Sequence, residues 1–189
     1  DQLLADFVSG QLKPRYSGGN QRALTDYRLE RSIYKGKRYA PVELAQYGRG
    51  CRFACDFCSI HAFYGSDLRV RPVDGLVAEL AGLPKGKLLF FVDDNLFGRK
   101  SDLQALLEAL EPLGRRWSCQ ISIDVARDER LLDRMARAGC RFVLIGFESL
   151  NPASLRQMGK HWNAVSGPYR RVVGALHRKG IGIYGTVGV

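Results

Sequence analysis

Residues 88–95, LLFFVDDN, run without a polar interruption through five positions and then end in two carboxylates and an amide. A continuous apolar run of this length suits a strand covered on both faces, as in parallel sheets flanked by helices. The neighbouring sequence supplies the helices. Upstream, Val73, Leu76, Val77 and Leu80 recur at i, i+3, i+4 and i+7. Downstream, Leu103, Leu106, Leu107 and Leu110 form a second stripe, with Ser101 expected as N-cap, Gln104 three residues on, and Gly114 as the stop.

The alternation continues to the end of the chain. Residues 42–47 read as a first strand and RWSCQISID (116–124) as a third. Asp128 caps a helix carrying Leu131, Leu132 and Met135, which Gly139 closes before RFVLIGFES (141–149), the fourth strand. Asn151-Pro152 opens another helix, and residues 165–179, broken at Pro168, supply more up to Gly180. IGIYGTVGV (181–189) is a fifth strand. Strands alternating with helices predict an α/β fold with a parallel sheet of five β-α units. Residues 1–40 form a polar, Gly-containing lead, and residues 41–189 the folded core.

The 189 residues, 46% of them hydrophobic, suit one domain with a sizeable core. No stretch has the apolar length of a membrane span, and the N-terminus lacks the basic-then-apolar order of a secretory signal, so the chain reads as soluble and cytoplasmic. It begins at Asp1 rather than Met, which suggests a segment of something longer. Lys and Arg exceed Asp and Glu by 29 to 19, giving +10. Only residues 14–39 are both basic and aromatic, while Arg127, Arg130, Arg134 and Arg137 are spread along a helix as a solvated face. Nucleic-acid binding is therefore a second reading rather than the first. Five cysteines, three of them clustered, argue for a reducing compartment with thiolates on metal rather than a disulfide framework.

Parallel β/α folds gather their chemistry at the carboxyl ends of the strands. Four strand ends here carry polar residues: Cys51, Cys55 and Cys58 after the first; Asp93, Asp94 and Asn95 after the second; Gln120, Ser122 and Asp124 on the third; Glu148 and Ser149 on the fourth. Period-2 spacing puts Gln120, Ser122 and Asp124 on one face. The cysteines admit two readings. With His61 they could make a zinc site in a non-catalytic binding module. Alternatively, three thiolates hold a cubane iron–sulfur cluster, ordinarily a four-thiolate group, and leave one iron open to a ligand. Cys119 and Cys140 read as small core residues.

Cys51-x3-Cys55-x-Phe57-Cys58, placed after the first strand of a β/α series, resembles the signature of radical S-adenosylmethionine (SAM) enzymes. GRGCRFACDFCSI, FVDDN and GCRFVLIGFESLNPASLRQMGKHWN are similar to the subgroup with a cobalamin-binding domain ahead of the radical SAM domain. The resemblance implies a partial parallel (β/α) barrel, with the sixth unit missing. It implies a 4Fe-4S cluster on Cys51, Cys55 and Cys58, with SAM chelating the fourth iron and cleaved reductively to a 5'-deoxyadenosyl radical. It places Asp93, Asp94 and Asn95 near the SAM amine, Glu148 near the ribose, Gly185 and Phe57 near the adenine, and Gln120 and Ser149 around the cofactor. No catalytic residue is assigned beyond the cluster ligands, and Lys160 and Asn163 resemble a recurrent stretch without a role.

The implied activity is a cobalamin-dependent methyl transfer or related bond-forming reaction on a small-molecule substrate. A reductant protein such as a flavodoxin or ferredoxin would supply electrons. A radical SAM RNA-modifying enzyme and the zinc module are the alternatives. No Asp-x-His-x-x-Gly cobalamin pattern surrounds His61, His161 or His177. The chain thus reads as the middle of a longer enzyme, with a cobalamin domain expected upstream and a substrate-recognition region downstream.

Overall fold

The computed structural model describes residues 2–17, 24, 29–98, 100–165 and 167–188. In chain order its helices and strands are α1 (Gln2–Val8), β1 (Val42–Ala45), β2 (Gly48–Arg49), α2 (Ser59–Tyr64), β3 (Arg69–Val70), α3 (Val73–Ala81), β4 (Leu88–Phe91) and α4 (Lys100–Leu110). There follow β5 (Trp117–Ile121), α5 (Glu129–Arg137), β6 (Cys140–Glu148), α6 (Pro152–Gln157), α7 (His161–Val165), α8 (Tyr169–Arg178) and β7 (Gly182–Val187). Five strands make one sheet in the order β1-β4-β5-β6-β7, every neighbouring pair parallel. This is the sequential parallel sheet of a partial (β/α) barrel. Strands β2 and β3 form a separate antiparallel ribbon, Gly48 opposite Val70 and Arg49 opposite Arg69.

Among the described residues, helices cover one sheet face only, which corrects the expectation for residues 88–95. Along β4, Leu89 and Phe91 are fully buried whereas Leu88 and Phe90 are only half-buried. The same alternation runs across the sheet: Ala45, Cys119, Ile121, Val143 and Ile145 lie under the helices, and Leu44, Gln120, Phe142 and Tyr184 are exposed on the other side. The apolar run reflects a strand whose second face lines the open inside of the barrel. Cys119 and Cys140 are buried in the core, as small apolar residues. In α4, Leu103, Leu106, Leu107 and Leu110 are all buried, which is what their spacing predicts.

The helix starts follow local capping chemistry. Asp128 accepts from Leu131 N at 3.1 Å, and Asn151 accepts from Ala153 N at 2.8 Å with Pro152 in the first turn. Helix α4 instead begins at Lys100, one residue before the expected cap Ser101. Strand β5 also ends earlier than expected, at Ile121, because residues Ile123–Arg127 turn into a 3-10 segment. The lead is tied to the core: Arg31 pairs with Glu79 at 2.7 Å and Glu43 at 3.4 Å, while the fully buried Arg71 takes the other Glu79 oxygen at 2.6 Å. No helix among the described residues is long and apolar enough to cross a membrane.

Candidate functional site

The loop after β1 and the ends of β4, β5, β6 and β7 enclose a cavity of about 350 Å³. Cys51, Cys55 and Cys58 all line it, none bonded to another cysteine. The loop folds back on itself through Cys58 N donating to Cys55 O at 3.0 Å, after which Cys58 leads into α2. Burial holds the Cys55 thiol above its ordinary value, and the neighbouring Lys160 opposes that shift.

The acidic end of β4 does two kinds of work. Asp93 is 3% exposed and accepts Tyr47 N at 3.0 Å and Gly48 N through its other oxygen. Burial, only partly offset by those two N–H groups, pushes its carboxyl up to about 7. Asp94 accepts Gly50 N at 2.8 Å. These two carboxylates therefore fix the backbone that launches the cysteine loop. Asp93, Asp94 and Asn95 all line the cavity, and Asn95 donates through Nδ2 to Cys51 Sγ at 3.6 Å and Ser122 Oγ at 3.3 Å. Its Oδ1 is buried without a hydrogen-bond partner among the described residues.

Across the cavity stands Glu148, at φ +61°, a left-handed conformation rare outside glycine. The register between β6 and β7 shifts between Gly146 and Glu148, and that irregularity turns the carboxylate inward. Its Oε1 accepts Lys160 Nζ at 2.7 Å. Gly146 makes room for the pair, since a Cβ there would collide with Glu148 Oε1 and lie 2.8 Å from Lys160 Nζ. Lys160 also stands 5.9 Å from the ring centre of Phe57, which is 57% exposed at the cavity rim.

Gln120 and Ser122 line the cavity as their spacing suggests, but Asp124 does not. The 3-10 turn carries it outward to pair with Arg52 of the cysteine loop. A larger cavity, about 600 Å³, opens beyond that pair and contains none of the cysteines. Ser149 and Gly185 are not brought into the site either. Ser149 accepts Asn151 N at 3.1 Å, and Gly185 backs onto the Phe147 ring. On β7 it is Thr186, one residue on, that faces the cavity. Period-2 alternation from the buried Ile181 and half-buried Ile183 could have identified it. Lys160 is a second cavity residue that sequence reasoning left without a role, because its partner Glu148 lies across a loop and a helix.

The radical SAM superfamily profile matches residues 46–189, and the chain belongs to that family. A bacteriochlorophyllide d C-12(1)-methyltransferase of Chlorobaculum tepidum is 32% identical over 195 residues, spanning 98% of this chain and 42% of that protein. A hopanoid C-2 methylase of Rhodopseudomonas palustris is 26% identical over 179 residues, 86% of this chain and 33% of the relative. The chain thus spans less than half the length of these curated relatives. Among solved structures, the radical SAM methyltransferase TsrM from Kitasatospora setae, with tryptophan substrate and a SAM analog bound, superposes with a TM-score of 0.64 at 20% identity. That match covers 77% of this chain and 29% of the other, and it shows a shared fold. TsrM with cobalamin and a 4Fe-4S cluster bound gives a TM-score of 0.62 at 18% identity.

Proposed function

We propose that this chain is the SAM-cleaving core of a cobalamin-dependent radical SAM methyltransferase. The observation that carries the reading is the convergence of three thiols, the Asp93–Asn95 end of β4 and one lysine–carboxylate pair on a single cavity at the strand ends. Cys51, Cys55 and Cys58 would hold a 4Fe-4S cluster, each on its own iron, leaving one iron for SAM. The radical SAM family match over residues 46–189 favours this reading over the zinc module.

The residues fit both ends of SAM. Asp94, half-buried on the cavity with one oxygen uncommitted, offers an acceptor suited to the methionyl ammonium, and Lys160 supplies a positive charge for the carboxylate. Glu148 keeps Oε2 for a ribose hydroxyl, and Phe57 offers a ring face at the rim. When bound, cluster and SAM supply reductive cleavage of the sulfonium and hydrogen-atom abstraction. The protein's own part is to hold these groups and keep water out. The names of the relatives and of TsrM support methyl transfer to a small organic substrate with cobalamin, and reductive cleavage would call in addition on an electron donor such as a flavodoxin or ferredoxin.

Anaerobic reconstitution tests the reading. The protein should take up iron and sulfide at about four each per chain. Cys51→Ala, Cys55→Ala and Cys58→Ala should each lose the cluster, while Cys119→Ala and Cys140→Ala keep it. One zinc per chain, or full iron in Cys55→Ala, contradicts it.

A further inference from the structure

The stretch GKHWN, residues 159–163, follows α6 and touches both halves of the site. We propose that the segment from Met158 to Asn163 is a brace that fixes the cysteine loop and the Glu148 turn relative to one another, with Trp162 and Asn163 as its positioning residues. The proposal rests on the reading of the cavity given above, but its contacts belong to the chain itself.

On the loop side, Trp162 stacks on Phe53 at 4.2 Å between ring centres and 15° between planes, and the Arg52 guanidinium lies 4.6 Å from the same ring. Asp56 N donates to Met158 O at 3.1 Å, a backbone bond from within the cysteine loop to the brace. Gly159, at φ +65°, permits this approach, because a Cβ there would lie 2.9 Å from Asp56 Oδ1 and 3.2 Å from Ala54 O.

On the strand side, Asn163 is 1% exposed, and its Nδ2 donates to Gly146 O at 3.0 Å and Phe147 O at 3.1 Å. Those are the carbonyls immediately before Glu148, where the β6–β7 register shifts. Tyr169 adds a clamp, its hydroxyl lying 3.0 Å from Phe147 O and 2.9 Å from Ser149 O, which share its one proton. A left-handed residue persists only where its surroundings over-determine it, and these side-chain donors do so. Lys160 sits between the two anchor points, and Asn163 N donates to Lys160 O at 3.1 Å, closing the turn that aims the lysine. The spacing between thiols and carboxylate is thus set by six consecutive residues.

Hydrogen exchange on the cluster-free full chain reads this directly. Trp162→Ala should speed exchange at residues 54–58 by roughly tenfold or more, while β4 and β5 exchange as in wild type. Trp162→Phe, which preserves a ring stack, should restore most of the protection. Phe53→Ala combined with Trp162→Ala should add little to either alone, because both remove the same contact. Asn163→Ala should speed exchange at residues 146–149 and, after reconstitution, weaken SAM binding roughly tenfold with iron content unchanged. Wild-type exchange of the loop in Trp162→Ala overturns the brace, as does equal acceleration across β4 and β5 or a Trp162→Phe variant no better than Trp162→Ala. Full iron in Cys55→Ala would sink the cluster reading instead, leaving the exchange results to stand on their own.

Discussion

Two carboxylate-bearing strand ends face each other across the cavity, and they spend their acids differently. At the end of β4, Asp93 and Asp94 accept three backbone N–H groups, from Tyr47, Gly48 and Gly50. At the end of β6, Glu148 is held by a lysine side chain and twisted into a left-handed conformation. Topologically the two positions are equivalent, since both sit where a parallel strand leaves the sheet. The difference teaches that position at a strand end does not by itself make a side chain functional. Asp93, with both oxygens consumed by buried backbone donors, builds the site, whereas Glu148, and Asp94 through its second oxygen, keep an acceptor with which a ligand can be met.

The largest effect expected from breaking the comparison is on Asp93. Asp93→Ala orphans two buried N–H groups and should cost on the order of 2–6 kcal/mol, read as a lower urea midpoint. A loss within the range of ordinary surface substitutions would remove Asp93 from the structural role. Its titration gives a second test. The folded-state value of about 7 lies above the ordinary 3.8, so the proton favours the folded state. That contribution is complete below pH 3.8 and is lost as pH rises through 7. Stability of the cluster-free chain should therefore fall across that window, and Asp93→Asn should flatten the slope. On the opposite arm, Gly146→Ala intrudes on the Glu148–Lys160 pair and should cost about 1–3 kcal/mol of SAM binding while leaving the urea midpoint nearly unchanged. Asp94→Ala removes the acceptor of one amide, that of the buried Gly50, and should cost about 1–2 kcal/mol of stability.

The helices were legible because their stripes and caps are local: the leucines of α4, Asp128 and Asn151 all act within one turn of themselves. The clustering of Cys51, Asn95, Gln120 and Glu148 was legible too, because parallel strands bring their ends together whatever lies between. Which face of β4 the helices cover was not, since Leu88–Phe91 is apolar at every position and carries no alternation to read. Asp124 was misplaced because period-2 counting assumed a strand where the chain had already turned at Ile123. The β2–β3 ribbon, two residues on each side, is too short to leave a pattern. Lys160 lies 12 positions from Glu148, and nothing local links them before the fold does.

Titration of SAM into the anaerobically reconstituted chain, with iron quantified in each sample, tests the contrast between the two arms most directly. Glu148→Gln keeps the shape and removes the charge, so it should weaken SAM by about 1.5–3 kcal/mol, roughly ten- to a hundredfold, at wild-type iron content. Asp93→Asn, which alters an acid committed to the backbone through both oxygens, should weaken it less. Wild-type affinity in Glu148→Gln, or a greater loss in Asp93→Asn, would contradict the assignment of the β6 arm to the ligand and of Asp93 to the scaffold.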